Sequence, residues 1–313
     1  MSDILLKRLL NLIPICILVY TMVFFLLRIA PGDPATAVLG DNATAEAVAA
    51  LKAKMGLDRS LLEQYWDGLF DLLRGDFGRS LTSGLPVTDQ ILSALPYTLH
   101  LAFASLGLGL VLGIPMGTLS AIRRDGLFDH GSRVVSLAGL SVPSFVLGIV
   151  LMLAFSIHFP ILPAVGGGKA GDPLSILRHL VLPATTLGLI MMAYVMRVTR
   201  NAMLNVLGED YIRTARAKGL PEWKVILFHA FPNCLVPLIS LAAINFITLV
   251  SSSVMIEIIF SRQGLGRLLV SAMRQRDYVS LQSVLVVYAM LIIAVNMTAD
   301  ILYSLANPRI RAK

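Results

Sequence analysis

Three polar side chains recur on one side of an apolar stretch near residue 250. Asn245, Thr248 and Ser252 are spaced three and four residues apart, which places them on one face if the stretch is helical. Such groups can form hydrogen bonds with a polar solute that crosses a membrane, or with a neighbouring helix at about 0.6 kcal/mol per contact. Both interpretations stay open, and we assign the three residues to a candidate translocation path.

An acidic residue follows in the same stretch. Glu257 lies near its end, before the arginines Arg262 and Arg267. A charge inside an apolar span is costly, so an acid there is by default a functional hypothesis. We place Glu257 on the candidate path, paired with one of these arginines near an outer gate; an interfacial salt bridge is the alternative. Asn296 and Asp300 share a face of the last apolar run and favour a structural pairing with an arginine.

No set of residues has the spacing of a catalytic or metal centre. The GGGK sequence at residues 166–169 is similar to part of a phosphate-binding loop, but Pro163 stands where a glycine is needed and Ala170 where Ser or Thr is needed. The histidines are scattered without an HExxH pattern, and Cys16 and Cys234 lie alone in apolar surroundings. We therefore predict a non-catalytic chain that binds no metal, cofactor or ATP itself.

The composition indicates an integral membrane protein. The 313 residues are 56% hydrophobic and only 14% charged, with a mean hydropathy of +0.78. Soluble domains carry about 25% charged residues. The net charge is +7, but the Lys and Arg residues cluster at the ends of apolar runs instead of among aromatics. This distribution fits membrane topology better than a nucleic-acid-binding face.

Six apolar runs are long enough to cross a bilayer. The first is longer than the apolar core of a signal peptide, so we expect an uncleaved span with a cytoplasmic N-terminus. Lys and Arg are enriched in the segments that this topology places inside, although the outer segment 261–280 also holds several arginines. An even number of spans places the C-terminus in the cytoplasm as well. The predicted spans are Leu9–Ala30, Tyr97–Ile122, Val134–His158, Leu180–Met196, Cys234–Ile259 and Leu281–Leu305.

The segment between the first two spans has helix signals of its own. Ser60-Leu61-Leu62-Glu63 has the capping-box pattern, and Gly75 can end the helix that it begins. An earlier helix is predicted over Thr44–Met55. We therefore predict three parts: residues 1–30 with the first span, a helical outer segment at 31–96, and a core of five spans at 97–313.

Glycines and a proline predict two features of the spans. Gly109, Gly113 and Gly117 share a face of the second span and predict close contact with another helix. Pro143 predicts a kink in the third span.

Residues 197–232, which we call the charged segment, interrupt the apolar runs. Glu209 or Asp210 can cap a helix that Gly219 ends, and Pro221 can open the next helix. Two short helices around a glycine form a compact unit that is longer than a simple connection requires. The pattern favours a docking surface for a soluble protein; a solvated loop is the alternative.

The charged segment resembles the EAA loop of bacterial ABC importer permeases, which docks into a cleft of the ATPase subunit. The family pattern is E-A-A-x-x-x-G, followed nine residues later by I-x-L-P. Ala215, Gly219 and Pro232 match, whereas Arg213 replaces the Glu and Thr214 the first Ala, and the residue at the Ile position is a histidine. The resemblance assigns ATPase coupling to Glu209, Asp210, Tyr211, Arg213, Thr214, Ala215, Arg216, Ala217, Lys218, Gly219 and Pro232.

Further motifs extend the resemblance to nearly the whole chain. They are similar to those of the dipeptide and oligopeptide permeases, which include glutathione and nickel importers, and among these to the first of the two permease subunits. The motifs are EDYIRTARAKG at 209–219, APGDP at 30–34, MGLD at 55–58, GDFG at 75–78, QGLGR at 263–267, RDY at 276–278 and NPRIR at 307–311.

The resemblance implies a specific architecture and assembly. It implies an all-α integral membrane protein with six transmembrane helices, the type I ABC importer permease fold and a small helical periplasmic cap. The implied partners are a second homologous permease, two ATPase subunits that carry ATP and Mg, a periplasmic or lipid-anchored substrate-binding protein, and membrane lipid. The implied location is the bacterial inner membrane.

Import of di- or oligopeptides is the function that the resemblance implies first. Glutathione and nickel are alternative substrates, of which nickel is disfavoured because no His or Cys cluster lines a span. An ATPase-independent channel or ion-coupled transporter is the rival from another class. Such proteins tend to show internal repeats or several buried ionisable residues, and neither is evident here. A membrane anchor for a soluble partner is a third alternative.

Overall fold

The structure is a computed structural model that describes residues 2–29, 34–40, 44–169 and 171–306. Within these ranges the chain is helical, and one isolated bridge between Arg79 and Pro86 is the β-type pairing present. The chain divides into two compact units. One contains Met1–Tyr97 and Gln263–Met297, and the other contains Thr98–Arg262 and Thr298–Lys313.

Most of the helices follow one another with short connections, while the segments 74–86 and 159–172 are longer. Two of them continue into π-helical segments, Leu153–His158 after α7 and Val225–Ala230 between α10 and α11. The α-helices are α1 Ser2–Ile29, α2 Pro34–Leu39, α3 Ala45–Lys54, α4 Leu61–Leu73, α5 Val87–Ile122, α6 Leu127–Ser141, α7 Ser144–Met152, α8 Pro173–Leu207, α9 Asp210–Ala217, α10 Glu222–Lys224, α11 Phe231–Ile259, α12 Leu265–Arg274 and α13 Tyr278–Ala306.

Several helices have the length and composition of membrane spans. In the described residues, four pass this test: α5, α8, the continuous run Glu222–Ile259, and Tyr278–Ala299 of α13. The pair Leu127–Ser141 and Ser144–His158 makes a fifth if its two parts count as one span, and Ile13–Ile29 of α1 is a shorter apolar helix. The all-helical membrane fold is confirmed, while the number six stays a prediction.

The third predicted span, Val134–His158, is not one straight helix. Its two halves are bent by 99° at the break between α6 and α7. The break falls at Val142-Pro143, where Val142 has the extended angles φ −84° and ψ 123°. A proline disfavours the α conformation in the residue before it and lacks an amide hydrogen, so α6 ends there.

The helices predicted between the first two spans are confirmed. Thr44 caps α3 by accepting a hydrogen bond from the Ala47 amide, and Ser60 and Glu63 form both bonds of the capping box that starts α4. In the same unit α4 packs on α1, where the Tyr65 hydroxyl lies 2.8 Å from Thr21 Oγ1. A small apolar cluster around Tyr20, Phe24 and Leu69 holds the two helices together.

The glycine ladder of α5 forms the close helix contact that its spacing predicts. A Cβ atom on Gly113 would lie 2.7 Å from Cβ of Val195, and one on Gly117 would lie 2.5 Å from the Met196 carbonyl oxygen. Real Cβ atoms do not approach other atoms so closely. Only glycine therefore allows α5 and α8 to pack at this distance in the second unit.

Candidate functional site

The first part of the charged segment belongs to α8. This helix begins at Pro173 and continues to Leu207, beyond the predicted end of the fourth span at Met196. It passes through Pro183 and Gly188, both buried, without a break, and it ends at Gly208. Residues 197–207 are thus the last turns of a long helix, and the separate folded part of the charged segment begins at Gly208.

Neither acid at the start of α9 caps the helix through its side chain. Glu209 is the N-cap residue by its extended backbone but makes no side-chain cap bond. Asp210 lies in the first turn and receives a bond from Arg213 Nη1 at 3.2 Å, while Thr214 Oγ1 donates to the Asp210 carbonyl at 3.0 Å. The negative charges of Glu209 and Asp210 stabilise the N-terminal end of α9 by interacting with the helix dipole, without a side-chain cap bond.

The turn after α9 has the conformation that its glycine predicts. Gly219 has φ +77°, a left-handed angle that side chains rarely adopt, and its amide donates to the Arg216 carbonyl at 2.9 Å. Pro221 is the N-cap of α10. The Arg216 guanidinium closes the turn with two bonds to the Glu222 carboxylate, at 3.1 and 2.6 Å, and this pairing raises the pKa of Arg216.

One face of α9 is buried in its own unit. Ile212 and Ala215 belong to the main apolar core, together with Val225, Ala230 and Cys234 of the following helices. Ala215 is 7% exposed, so its small size serves this internal packing. The face left open carries predicted coupling residues, all exposed: Glu209, Asp210, Tyr211, Arg213, Thr214, Arg216, Ala217, Lys218 and Gly219.

Exposed aromatic side chains lie beside these residues, and the sequence reasoning missed them. Trp223 is 56% exposed and Phe228 is 65% exposed, and their rings contact each other. Their presence as large apolar residues in an otherwise charged segment could have indicated them from the sequence. An exposed apolar cluster with a polar rim is typical of a protein-binding surface.

A hydrogen bond links α9 to the start of α11. Asn233 Nδ2 donates to the Tyr211 hydroxyl at 2.9 Å. Burial raises the pKa of Tyr211, and the bond from Asn233 acts in the opposite direction. Pro232 is exposed at the start of α11, inside the continuous helical run Glu222–Ile259, where it cannot donate a backbone hydrogen bond. The second helix of the charged segment is therefore continuous with the fifth predicted span.

The three polar residues Asn245, Thr248 and Ser252, which we call the polar stripe, lie on α11 as predicted but differ in exposure. Asn245 is 9% exposed, Thr248 is exposed and Ser252 is intermediate. Asn245 Nδ2 donates to the Leu241 carbonyl at 2.9 Å, and Thr248 Oγ1 donates to the Ile244 carbonyl at 3.2 Å. Bonds within the helix satisfy these groups and leave both interpretations of the stripe open.

Glu257 is fully buried between α11 and α5. Thr98 Oγ1 donates to its carboxylate at 2.6 Å, and Ser253 Oγ lies 3.3 Å from the same oxygen. The Arg262 amide donates to the Glu257 carbonyl at 2.8 Å, so the two residues are linked through the backbone. The Arg262 side chain is also buried and donates from Nη1 to the His179 carbonyl. The charge pairing proposed for Glu257 stays a prediction.

A buried carboxylate that the sequence did not single out connects three helices of the same unit. Asp129 of α6 is 0% exposed and accepts two bonds from Arg200 of α8, at 2.5 and 2.7 Å. Ser120 of α5 also donates to it at 2.5 Å, and Arg133 donates at 3.0 Å. Arg133 is an i,i+4 partner, but Arg200 is 71 residues away, so the local spacing around Asp129 does not indicate the whole network.

Some predicted features cannot be placed. Residues 30–33 and 307–311 of the predicted motifs and the Asp300 side chain lie outside the described residues. In the described part of the chain, no group of three or more His, Cys, Asp or Glu residues is arranged to hold a metal ion.

Two family comparisons together cover almost the whole chain. Residues 113–312 match the family described as Binding-protein-dependent transport system inner membrane component. Residues 1–102 match the corresponding N-terminal membrane-component family.

Full-length relatives support the same assignment. A protein of Brucella abortus (strain 2308), provisionally named a peptide transport system permease protein, is 40% identical over 312 residues, with 99% of each chain covered. The glutathione transport system permease protein GsiC of Escherichia coli (strain K12) is 36% identical over 313 residues, with 100% of each chain covered.

The fold also matches a solved structure. A chain of the MetNI methionine ABC transporter in an inward-facing conformation superposes with a TM-score of 0.57 at 22% identity. The match covers 69% of this chain and 96% of that chain. The two family matches and the full-length relatives show that this chain is a non-catalytic transport component, and it belongs to the family of inner membrane components of binding-protein-dependent transport systems.

Proposed function

We propose that this chain is the first of two permease subunits in an ATP-driven importer of di- or oligopeptides. The exposed face of α9 and its aromatic neighbours carry the proposal. This face is tied to the membrane helices by the buried Ile212, by the Tyr211–Asn233 bond and by the Arg216–Glu222 pair. A force applied to α9 by a partner therefore reaches α11 through packed contacts.

The proposed assembly contains a second permease, two ATPase subunits and a periplasmic or lipid-anchored binding protein. ATP and Mg bind to the ATPase subunits and no cofactor binds to this chain. The charged segment lies in the cytoplasm with both termini, and the helices α3 and α4 lie in the outer compartment. ATP binding and hydrolysis shift the population between two packed states of the permease, because the ATPases contact the charged segment differently in each state.

Peptide is the proposed substrate because of the motif resemblance and the names of the relatives. Glutathione, which is itself a small peptide, is the alternative that the Escherichia coli relative supports. The substrate is tested by measuring which labelled peptides proteoliposomes of the complete transporter accumulate with its own binding protein. Uptake of glutathione in preference to other small peptides would favour the alternative.

A substitution of Gly219 tests the role of the charged segment in ATPase coupling. We predict that Gly219→Asp leaves the protein in the membrane but abolishes ATP-driven uptake, because a side chain at φ +77° strains the turn by about 1 kcal/mol and projects toward the ATPase. Gly208→Asp is the matched control. It adds the same charge to the same segment at φ −81°, where the nearest atom would lie 3.5 Å away. Normal uptake by the Gly219 variant would refute the coupling role.

The polar stripe is proposed to line the path. Cysteines introduced at Asn245, Thr248 and Ser252 should react with a membrane-impermeant thiol reagent, and substrate should slow the reaction. A cysteine at Leu249, which is buried on another face of α11, is the control. If the three stripe positions are protected as well as Leu249, the stripe serves packing between helices instead.

The requirement for ATPase subunits distinguishes the proposed importer from a channel or ion-coupled transporter. The purified permease should retain ATPase subunits, and uptake should stop when these subunits are removed or when ATP is replaced by a non-hydrolysable analogue. Uptake driven by an ion gradient in their absence would establish the rival function.

A further inference from the structure

A cavity with arginines in its wall lies between α6 and α8, outside both the exposed face of α9 and the polar stripe. Its volume is about 320 Å³. Three arginines line it: Arg133 of α6, and Arg197 and Arg200 of α8. Ser132 and Asn201 also line it, and most of the surface of the cavity is apolar.

The positive charge of this cavity is only partly neutralised. Asp129 lies behind it and binds Arg133 and Arg200, and Asp125 pairs with Arg133 at 3.5 Å, but these bonds leave the Nη1 group of each arginine unused. In the residues that the structure describes, Arg197 is exposed and forms neither an ion pair nor a side-chain hydrogen bond. Guanidinium groups held in place beside a free one form a site for an oxyanion such as phosphate.

The surroundings of the cavity are apolar. Leu137 lines it and is 67% exposed, and Val134, one turn earlier on α6, is 68% exposed. Met196 forms part of the wall on α8. A ligand that fits both features has an anionic head for the arginines and hydrocarbon chains for the exposed face of α6.

We propose that this cavity binds the phosphate headgroup of an anionic phospholipid. Basic pockets between membrane helices bind such headgroups, and each arginine near the membrane surface contributes roughly 1 kcal/mol to the attraction. Asp129 acts here as a positioning residue, because it orients two of the three guanidinium groups without touching the lipid.

The test uses the complete transporter, purified with its partner subunits and placed in nanodiscs of phosphatidylcholine with added phosphatidylglycerol. Native mass spectrometry measures how much phosphatidylglycerol each variant retains. We expect Arg197→Gln to weaken retention about fivefold, since one guanidinium contact is lost. Arg197→Lys, which keeps the charge, should retain most of the binding.

Arg123→Gln is the matched control. Arg123 is an exposed arginine just after α5 that does not line the cavity, so its loss should leave retention unchanged. Inorganic phosphate should not displace the lipid. An equal loss with Arg123→Gln, displacement by phosphate alone, or release of a partner subunit by Arg197→Gln with lipid retention unchanged would each overturn the proposal.

Discussion

Asp129 shows how a single buried charge can organise several helices. Its carboxylate is inaccessible to solvent, and its partners come from α5, α6 and α8. The bonds compensate the cost of removing the charge from water, provided that all partners are present. The residue therefore fixes the relative positions of these helix ends more strongly than an exposed ion pair could.

Removal of the Asp129 charge should destabilise the protein substantially. We predict that Asp129→Asn lowers the free energy of unfolding by about 3 kcal/mol, because the mostly buried Arg200 is left without its counter-charge. The thermal unfolding midpoint of the purified protein in detergent measures the effect. Asp125→Asn is the control, since Asp125 is 68% exposed and its exposed ion pairs contribute little.

A second variant separates the charge from the packing. If the cost comes from the uncompensated arginine, the double variant Asp129→Asn with Arg200→Gln should recover part of the lost stability. An unfolding midpoint for Asp129→Asn equal to that of the Asp125 control would contradict the organising role of this carboxylate.

The contact between α5 and α8 is governed by backbone proximity. We predict that Gly117→Ala costs about 1–3 kcal/mol of stability, because its Cβ would collide with the Met196 carbonyl and the α8 backbone must move away. Gly107→Ala in the same helix should be neutral or stabilising, since no atom lies within 4 Å of its Cβ position. Equal unfolding midpoints of the two variants would show that α5 and α8 can move apart with no loss of stability.

Local signals in the sequence predicted the helices well. The capping box at Ser60, the glycine ladder of α5 and the left-handed Gly219 each depend on residues within one or two turns, and the structure confirms all three. The break at Val142-Pro143 was expected only as a kink, because a proline indicates where a helix is disturbed but not by what angle. The Asp129–Arg133 pair has the i,i+4 spacing of a helix, but the bonds from Arg200, 71 residues away, could not be inferred from spacing.

The topology of the whole chain is open to a direct test. The native thiols Cys16 and Cys234 are buried, so introduced cysteines can be labelled over a low background. We predict that a cysteine at Lys218 reacts with an impermeant reagent only from the cytoplasm, and one at Leu62 only from the outside. Both positions are exposed. Labelling of the two from the same compartment would refute the proposed orientation.

The π-helical turn Val225–Ala230 sets the direction that Trp223 faces relative to the polar stripe of the same helical run. It lies between Trp223, at the foot of the run Glu222–Ile259, and the residues Asn245 to Ser252 higher up. A π-turn holds one residue more than an α-turn, and each residue of an α-helix accounts for about 100° of rotation. If these residues were all α-helical, Trp223 would therefore face about 100° away from its present direction relative to the residues Asn245 to Ser252.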